Sequence, residues 1–209
     1  MNRQGQVDIQ LHKGDLPSGL DLGAAIAIDT ETMGLNLQRD RLCLVQLSAG
    51  DGTVHLVQFE GPTYDAPKLT ALLSDPGVLK IFHFARFDIA VLNRHFGIDC
   101  TPLYCTKTAS RLARTSTDRH GLKDLCRDLL GVDLSKQQQT SDWGAAELKK
   151  EQLDYAASDV LFLHDLKDRL DALLVREGRT ELAQELFACL PARAKADLAG
   201  WADTDIFAH

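Results

Sequence analysis

Asp29 and Glu31 stand two residues apart at the end of a short apolar run, Ala24–Thr30. On a β-strand such residues point to the same side, so two carboxylates project together and repel unless something neutralises them. Asp88 falls near the start of a helical stretch, with apolar Phe87 and Ile89 beside it. Tyr155 and Asp159 are four apart in a helical stretch and share one face. Each piece alone has an ordinary reading: an acidic loop after a strand, an acid favoured in the first turn of a helix, a structural Tyr–Asp pair. Together they are four carboxylates from three segments, each at or near a buried element. Gathering them uncompensated would be costly, because buried charge is paired or binds metal. Two divalent cations would balance them, and oxygen donors without an accompanying His or Cys set select Mg2+ or Mn2+ over Zn2+. Two such ions about 3.5–4 Å apart are a known device for in-line displacement at phosphorus.

The elements that must carry these groups follow from apolar periodicity. Strands are predicted at Ala24–Thr30, Leu42–Ser48, Thr53–Phe59 and Val78–Phe82, with a short one at Leu103–Cys105. Ala49-Gly50-Asp51-Gly52 between the second and third is a hairpin signal. Helices are predicted at Lys68–Leu73, Ala85–Phe96, Thr106–Ala113, Leu122–Leu130, Ala146–Ala156 and Ser158–Arg176, with one or two more from Thr180 to about Trp201. A β-meander followed by alternating strand and helix implies a mixed central sheet with helices on both faces.

The 209 residues suit one domain, with a core over about 24–175 and a short helical tail over about 180–201. No apolar run approaches the roughly 18 residues of a bilayer span, and the N-terminus lacks the apolar stretch of a secretory signal. Five cysteines without a CxxC pair argue against a disulfide framework or cysteine zinc site, so a reducing cytoplasm is the expected compartment. The net charge of −7 speaks against coating a long polyanion. Its distribution is uneven: residues 77–140 carry +4 between flanks of −5 and −6. A locally basic middle suits a grip on a few phosphates, although uneven surface charge is also common.

Asp29-Thr30-Glu31, then His83-Phe84-Ala85-Arg86-Phe87-Asp88, then Tyr155-Ala156-Ala157-Ser158-Asp159 resemble, in order and spacing, the three motifs of the tyrosine-bearing DEDD 3'-5' exonucleases. The segment RLCLVQLS, Lys136, and Ser141-Asp142-Trp143 are similar to ribonuclease D, and the likeness spans roughly residues 24–175. Ribonuclease D carries further C-terminal helical domains, whereas this sequence, ending at 209, is expected to have room for only a short helical tail. Gly144-Ala145 also replaces its usual Arg-Pro pair. Among single-domain members the sequence is most similar to the nano-RNase C group of small enzymes that split dinucleotides.

The resemblance implies an α/β, RNase H-like exonuclease fold in which Asp29, Glu31, Asp88 and Asp159 hold two Mg2+ or Mn2+ ions, with Asp29 bridging them. Nucleoside 5'-monophosphates would be released from the 3' end of short single-stranded RNA, dinucleotides above all, or of single-stranded DNA. Tyr155 would orient the attacking water; a phenol with its ordinary pKa of about 10 is protonated at neutral pH. Leu35, with Met33 beside it, is the expected wedge against the terminal bases, local packing being the alternative. Phe84 would be a stacking platform or core, and His83 would line the site. Lys107, Arg111 and Arg114 have helical spacing and could hold phosphate or ribose; solvated side chains are the alternative. Lys136 and Trp143 match ribonuclease D positions, with Trp143 a candidate substrate contact. The resemblance further implies a homo-oligomer, an octameric ring, and no membrane contact. Rival readings are a ribonuclease D-like trimmer of longer structured RNA, a DNA-directed exonuclease, a mononucleotide phosphatase and a non-catalytic scaffold.

Overall fold

The computed structural model describes residues 7–134 and 141–208; Lys136 lies outside them. Among the described residues one sheet has the order β1-β4-β3-β2-β5-β6. Its strands are β1 (Asp8–Lys13), β2 (Ala25–Thr32), β3 (Leu42–Ser48), β4 (Thr53–Gln58), β5 (Leu79–Phe82) and β6 (Leu103–Cys105). β2, β3 and β4 form the antiparallel meander, while β5 and β6 continue the sheet parallel to β2. β2 is therefore interior, paired on both edges. Ile26, Ala27 and Ile28 are fully buried in it, and its polar end emerges where Asp29 to Glu31 begin. The β3–β4 turn is closed by Gly50 and Gly52 at φ +80° and +99°, backbone that a residue without Cβ adopts freely.

The helices are α1 (Pro67–Ser74), α2 (Ala85–Phe96), α3 (Thr106–Ala113), α4 (Leu122–Leu125), α5 (Lys150–Leu161), α6 (Leu163–Arg176) and α7 (Thr180–Ala196). Wider π-helical turns extend α4 over Cys126–Leu130 and α7 over Asp197–Trp201. α5 packs across β2, β3 and β4, α2 against β2 and β5, and α6 against β2, β5 and α3. The apolar stripe of α6, Leu163, Leu166, Leu170 and Leu174, is buried at helical spacing. α7 packs on α2 and α3. The buried Asp197 anchors it to α2, accepting from Arg86 Nη2 at 2.8 Å, and is ion-paired within the same helix to Arg193 at 3.1 Å. Among the described residues no helix is long and apolar enough to cross a membrane.

Three expectations need correction. β1 is a strand that periodicity missed: Asp-Ile-Gln-Leu-His-Lys holds only two apolar residues and lies mostly exposed at the sheet edge. Its hydrogen-bonding partner is the distant β4, in parallel register. The fifth helix begins at Lys150, not Ala146; there the Gln152 side chain turns back to accept from the Lys149 N–H at 3.0 Å. The interruption before the sixth falls at Phe162 (φ −105°, ψ 0°), not between Ala156 and Ser158. α5 is thereby continuous through Tyr155 and Asp159.

Candidate active site

A cavity of about 660 Å3 opens at the polar end of β2, walled by β2 and its following loop, the β5–α2 junction, and parts of α3, α4 and α5. β2 delivers Asp29 and Glu31, α2 delivers Asp88 in its first turn, and α5 delivers Tyr155 and Asp159. Carboxylate oxygens of Asp29, Glu31 and Asp159 lie within 4.8 Å of one another. Asp88 borders the same cavity but stands outside this triplet, and Thr30 Oγ1 donates to its Oδ1 at 2.6 Å. Asp29 faces Gln46 across the β2–β3 ladder, and Gln46 Nε2 donates to Asp29 Oδ2 at 3.4 Å. Just beyond, the register slips between Glu31 and Thr32, the kind of irregularity that re-aims a side chain beside a functional site.

These acids are held against their own repulsion. Burial, followed by the charges of Asp88, Asp159 and Glu31, pushes Asp29 well above the usual carboxylate range. Burial and the neighbouring Asp159 and Asp88 raise Glu31 to about 9. Burial raises Asp88 to about 7, opposed by the Thr30 hydrogen bond. It raises Asp159 to about 7, opposed by the hydrogen bond from the Tyr155 phenol. The phenol is itself pushed up, first by burial and then by Asp159. An all-oxygen, electron-rich cluster with neutral supporting donors suits hard divalent cations.

The rim differs. Met33 and Leu35 follow β2 on an exposed loop. Phe84 holds a left-handed backbone, φ 65° and ψ 44°, uncommon without glycine and typical of functional turns. Its ring is exposed on the cavity with Lys107 Nζ 4.2 Å from the centroid. His83 also borders the cavity, its pKa pushed down to about 3 by burial and by Lys107. Trp143 lines the cavity, yet it is buried, its ring 6.1 Å from that of Tyr155, and packs with the core. A Cβ on Gly144 would come within 2.3 Å of Met33 Sδ, so the bare backbone there is what lets Met33 lie in the wall.

Arg111 is not brought to the cavity: it is solvent-exposed one turn beyond Lys107, and α3 leaves the cavity after that residue. Arg114 is engaged elsewhere, 2.7 Å from Asp128. Periodicity also missed Thr30, Gln46 and Thr106. Thr30 alternates away from Asp29 and Glu31 along the strand, which reads as a spacer. The register of the Gly50–Gly52 hairpin could have flagged Gln46.

The sheet order, the helices around it and the carboxylates at the end of β2 define a nuclease of the 3'-5' exonuclease class. A family model described as 3'-5' exonuclease matches residues 14–174, and the chain belongs to that family. Within it the chain falls in the ribonuclease D-like part of the DEDD superfamily, near nano-RNase C. Ribonuclease D of Granulibacter bethesdensis is 34% identical over 174 residues, 82% of this chain, but the chain spans only 44% of that protein. A structure of Brucella melitensis NrnC bound to pGG superposes with a TM-score of 0.95 at 54% identity, covering 98% of this chain and 100% of that one. A further structure of that protein with bound Mg2+ gives a TM-score of 0.92 at 53% identity, covering 97% and 99%.

Proposed function

We propose that this enzyme is a 3'-5' exoribonuclease acting on short RNA, dinucleotides above all, and releasing nucleoside 5'-monophosphates. The observation that carries the reading is the convergence of Asp29, Glu31 and Asp159 to within 4.8 Å on one cavity, with Asp88 and Tyr155 beside them. Asp29, Glu31, Asp88 and Asp159 would hold two Mg2+ or Mn2+ ions, which when bound supply Lewis acidity at the phosphodiester and to the attacking water. Tyr155 keeps its proton, which is directed at Asp159. Its oxygen is then free to accept from the water and fix its line of attack. Leu35 and Met33 give the terminal bases an apolar edge.

The preference for short substrates has two supports. The cavity is of small-ligand size, and a neighbour of 54% identity has been solved with pGG in place. End-labelled RNA of two, three, five and twenty nucleotides, beside matching DNA, tests it with Mg2+ or Mn2+. Turnover confined to the dinucleotide is expected. Stepwise trimming of the longer RNA would replace this reading with a ribonuclease D-like trimmer, and preference for DNA with a DNA-directed exonuclease.

We also propose a single exonuclease domain acting as a homo-oligomer, with an octameric ring as its form. Exposed Val175, Leu182 and Leu186 on α6 and α7 offer apolar surface for such contacts. Light scattering after size exclusion would show one species many times the mass of the chain; a monomer would refute it.

A further inference from the structure

His83 is a cavity residue whose hydrogen-bonding state is decided by its neighbours. The Thr106 hydroxyl donates to the Phe82 carbonyl at 3.2 Å. Threonine has one hydroxyl proton; given to the Phe82 carbonyl, it leaves Thr106 Oγ1 to accept from His83 Nδ1, 2.8 Å away. In that arrangement Nδ1 carries the ring proton, which leaves a lone pair on Nε2. Among the described residues Nε2 has no protein partner. Burial and the nearby Lys107 keep the ring uncharged at working pH, so it neither donates from Nε2 nor exchanges protons as an acid or base. The result is a fixed hydrogen-bond acceptor on the cavity wall.

A substrate must bring the donor. Phosphodiester oxygens and sugar ring oxygens only accept. Base N–H groups change from one base to the next. The sugar hydroxyl does not, and the 2'-hydroxyl is the group by which a protein tells RNA from DNA. The adjacent Phe84 exposes an aromatic ring to the same cavity, a surface on which any base can stack. A base-tolerant platform beside a sugar-reading acceptor is a coherent pair.

We propose that His83 Nε2 accepts a hydrogen bond from a ribose 2'-hydroxyl of the substrate, and that Thr106 is the positioning residue that holds the ring in the tautomer able to do so. The proposal rests on the exoribonuclease reading of this cavity. It makes His83 a specificity residue and not a catalytic base.

The test crosses enzyme variants with sugar variants. Dinucleotides carrying 2'-OH, 2'-H or 2'-O-methyl at one nucleotide at a time are compared with a 3'-deoxy control. In the wild type, 2'-H and 2'-O-methyl at one position should each lower kcat/KM by about tenfold, the scale of a lost hydrogen bond in a desolvated site. In His83→Ala that ratio should fall to within about twofold. Thr106→Val, which touches no substrate, should fall between. Imidazole 15N spectra of the wild-type protein are read with AMP and dAMP as probes. They should show a neutral ring protonated at Nδ1, with Nε2 shifted by AMP and not by dAMP, and this arm stands even where a variant fails to fold. An Nε2-protonated ring overturns the proposal. So does a wild type indifferent to the 2' group, a ratio preserved in His83→Ala, or a penalty transferred to the 3'-deoxy control. A wild type that cleaves none of the substrates refutes the function itself, a separate result.

Discussion

On one side of the cavity Asp29, Glu31, Asp88 and Asp159 rise from a central strand and two packed helices, with Asp88, Asp29 and Asp159 braced by the neutral Thr30, Gln46 and Tyr155. On the other, Met33, Leu35 and Phe84 stand 52%, 84% and 42% exposed, on a loop and at a strained helix entry. The first side stores repulsion in a rigid frame, as electrostatic catalysis requires of groups that must not reorganise. The second leaves apolar side chains largely open to solvent on the rim. Substitutions on the two sides should therefore fail in different ways.

The largest effect belongs to Asp29→Asn. It should lower kcat by about a thousandfold or more, the scale of losing a metal-based charge clamp. In EDTA it should raise Tm above wild type, because a repelling charge has gone. A fall in both activity and metal-free Tm would make Asp29 a structural group and blur the contrast between the sides.

The stored repulsion also sets a pH signature. Asp88 and Asp159 are raised to about 7 and Glu31 to about 9 in the folded chain, against ordinary values of about 4. Below about pH 4 these acids are protonated in both folded and unfolded chains, and the contribution is fully favourable. As pH rises, the unfolded chain ionises first. The folded chain then loses stability, by several kcal/mol in total, until pH passes 7 to 9. Denaturant titrations in EDTA from pH 4 to 9 should show this decline, and added Mg2+ should reverse it at the alkaline end. A flat profile would mean that the cluster is not under strain.

Tyr155→Phe comes next: a kcat reduced by about tenfold or more with KM and fold retained, since positioning and general-base effects begin near this scale. Thr30→Val keeps the β-branched shape and removes the donor to Asp88. It should raise the Mg2+ concentration for half-maximal rate several-fold, on the scale of one hydrogen bond to a charged group, and Thr30→Ser should restore it. Mn2+ binding followed by electron paramagnetic resonance provides a readout apart from turnover. The smallest effect is expected on the rim, where Leu35→Ala should raise KM a few-fold with kcat little changed, the mark of lost uniform binding. A kcat effect there as large as that of Tyr155→Phe would erase the distinction.

Sequence reasoning reached one side much better than the other, for physical reasons. A strand alternates and a helix repeats every three to four residues, so Asp29 with Glu31 and Tyr155 with Asp159 announce their faces locally. Asp88 joined them through the spacing of motifs. The supports did not show, because Thr30, Gln46 and Thr106 act across strand register or between consecutive elements, which no local period encodes. β1 was hidden for a related reason, its partner β4 being far along the chain. Arg111 illustrates the opposite error: sharing a helical stripe with Lys107 does not place it on the cavity, because only the first turn of α3 lines the cavity and the Arg111 side chain, one turn on, is exposed to solvent.

Gly144 carries a consequence for anyone remodelling the entrance. Its missing methyl is the space that Met33 Sδ occupies. A side chain at position 144 would therefore require the flexible end of Met33 to shift from its present place in the wall. These two sites, remote along the chain, meet at the entrance, so a library that varies one gains from varying the other with it.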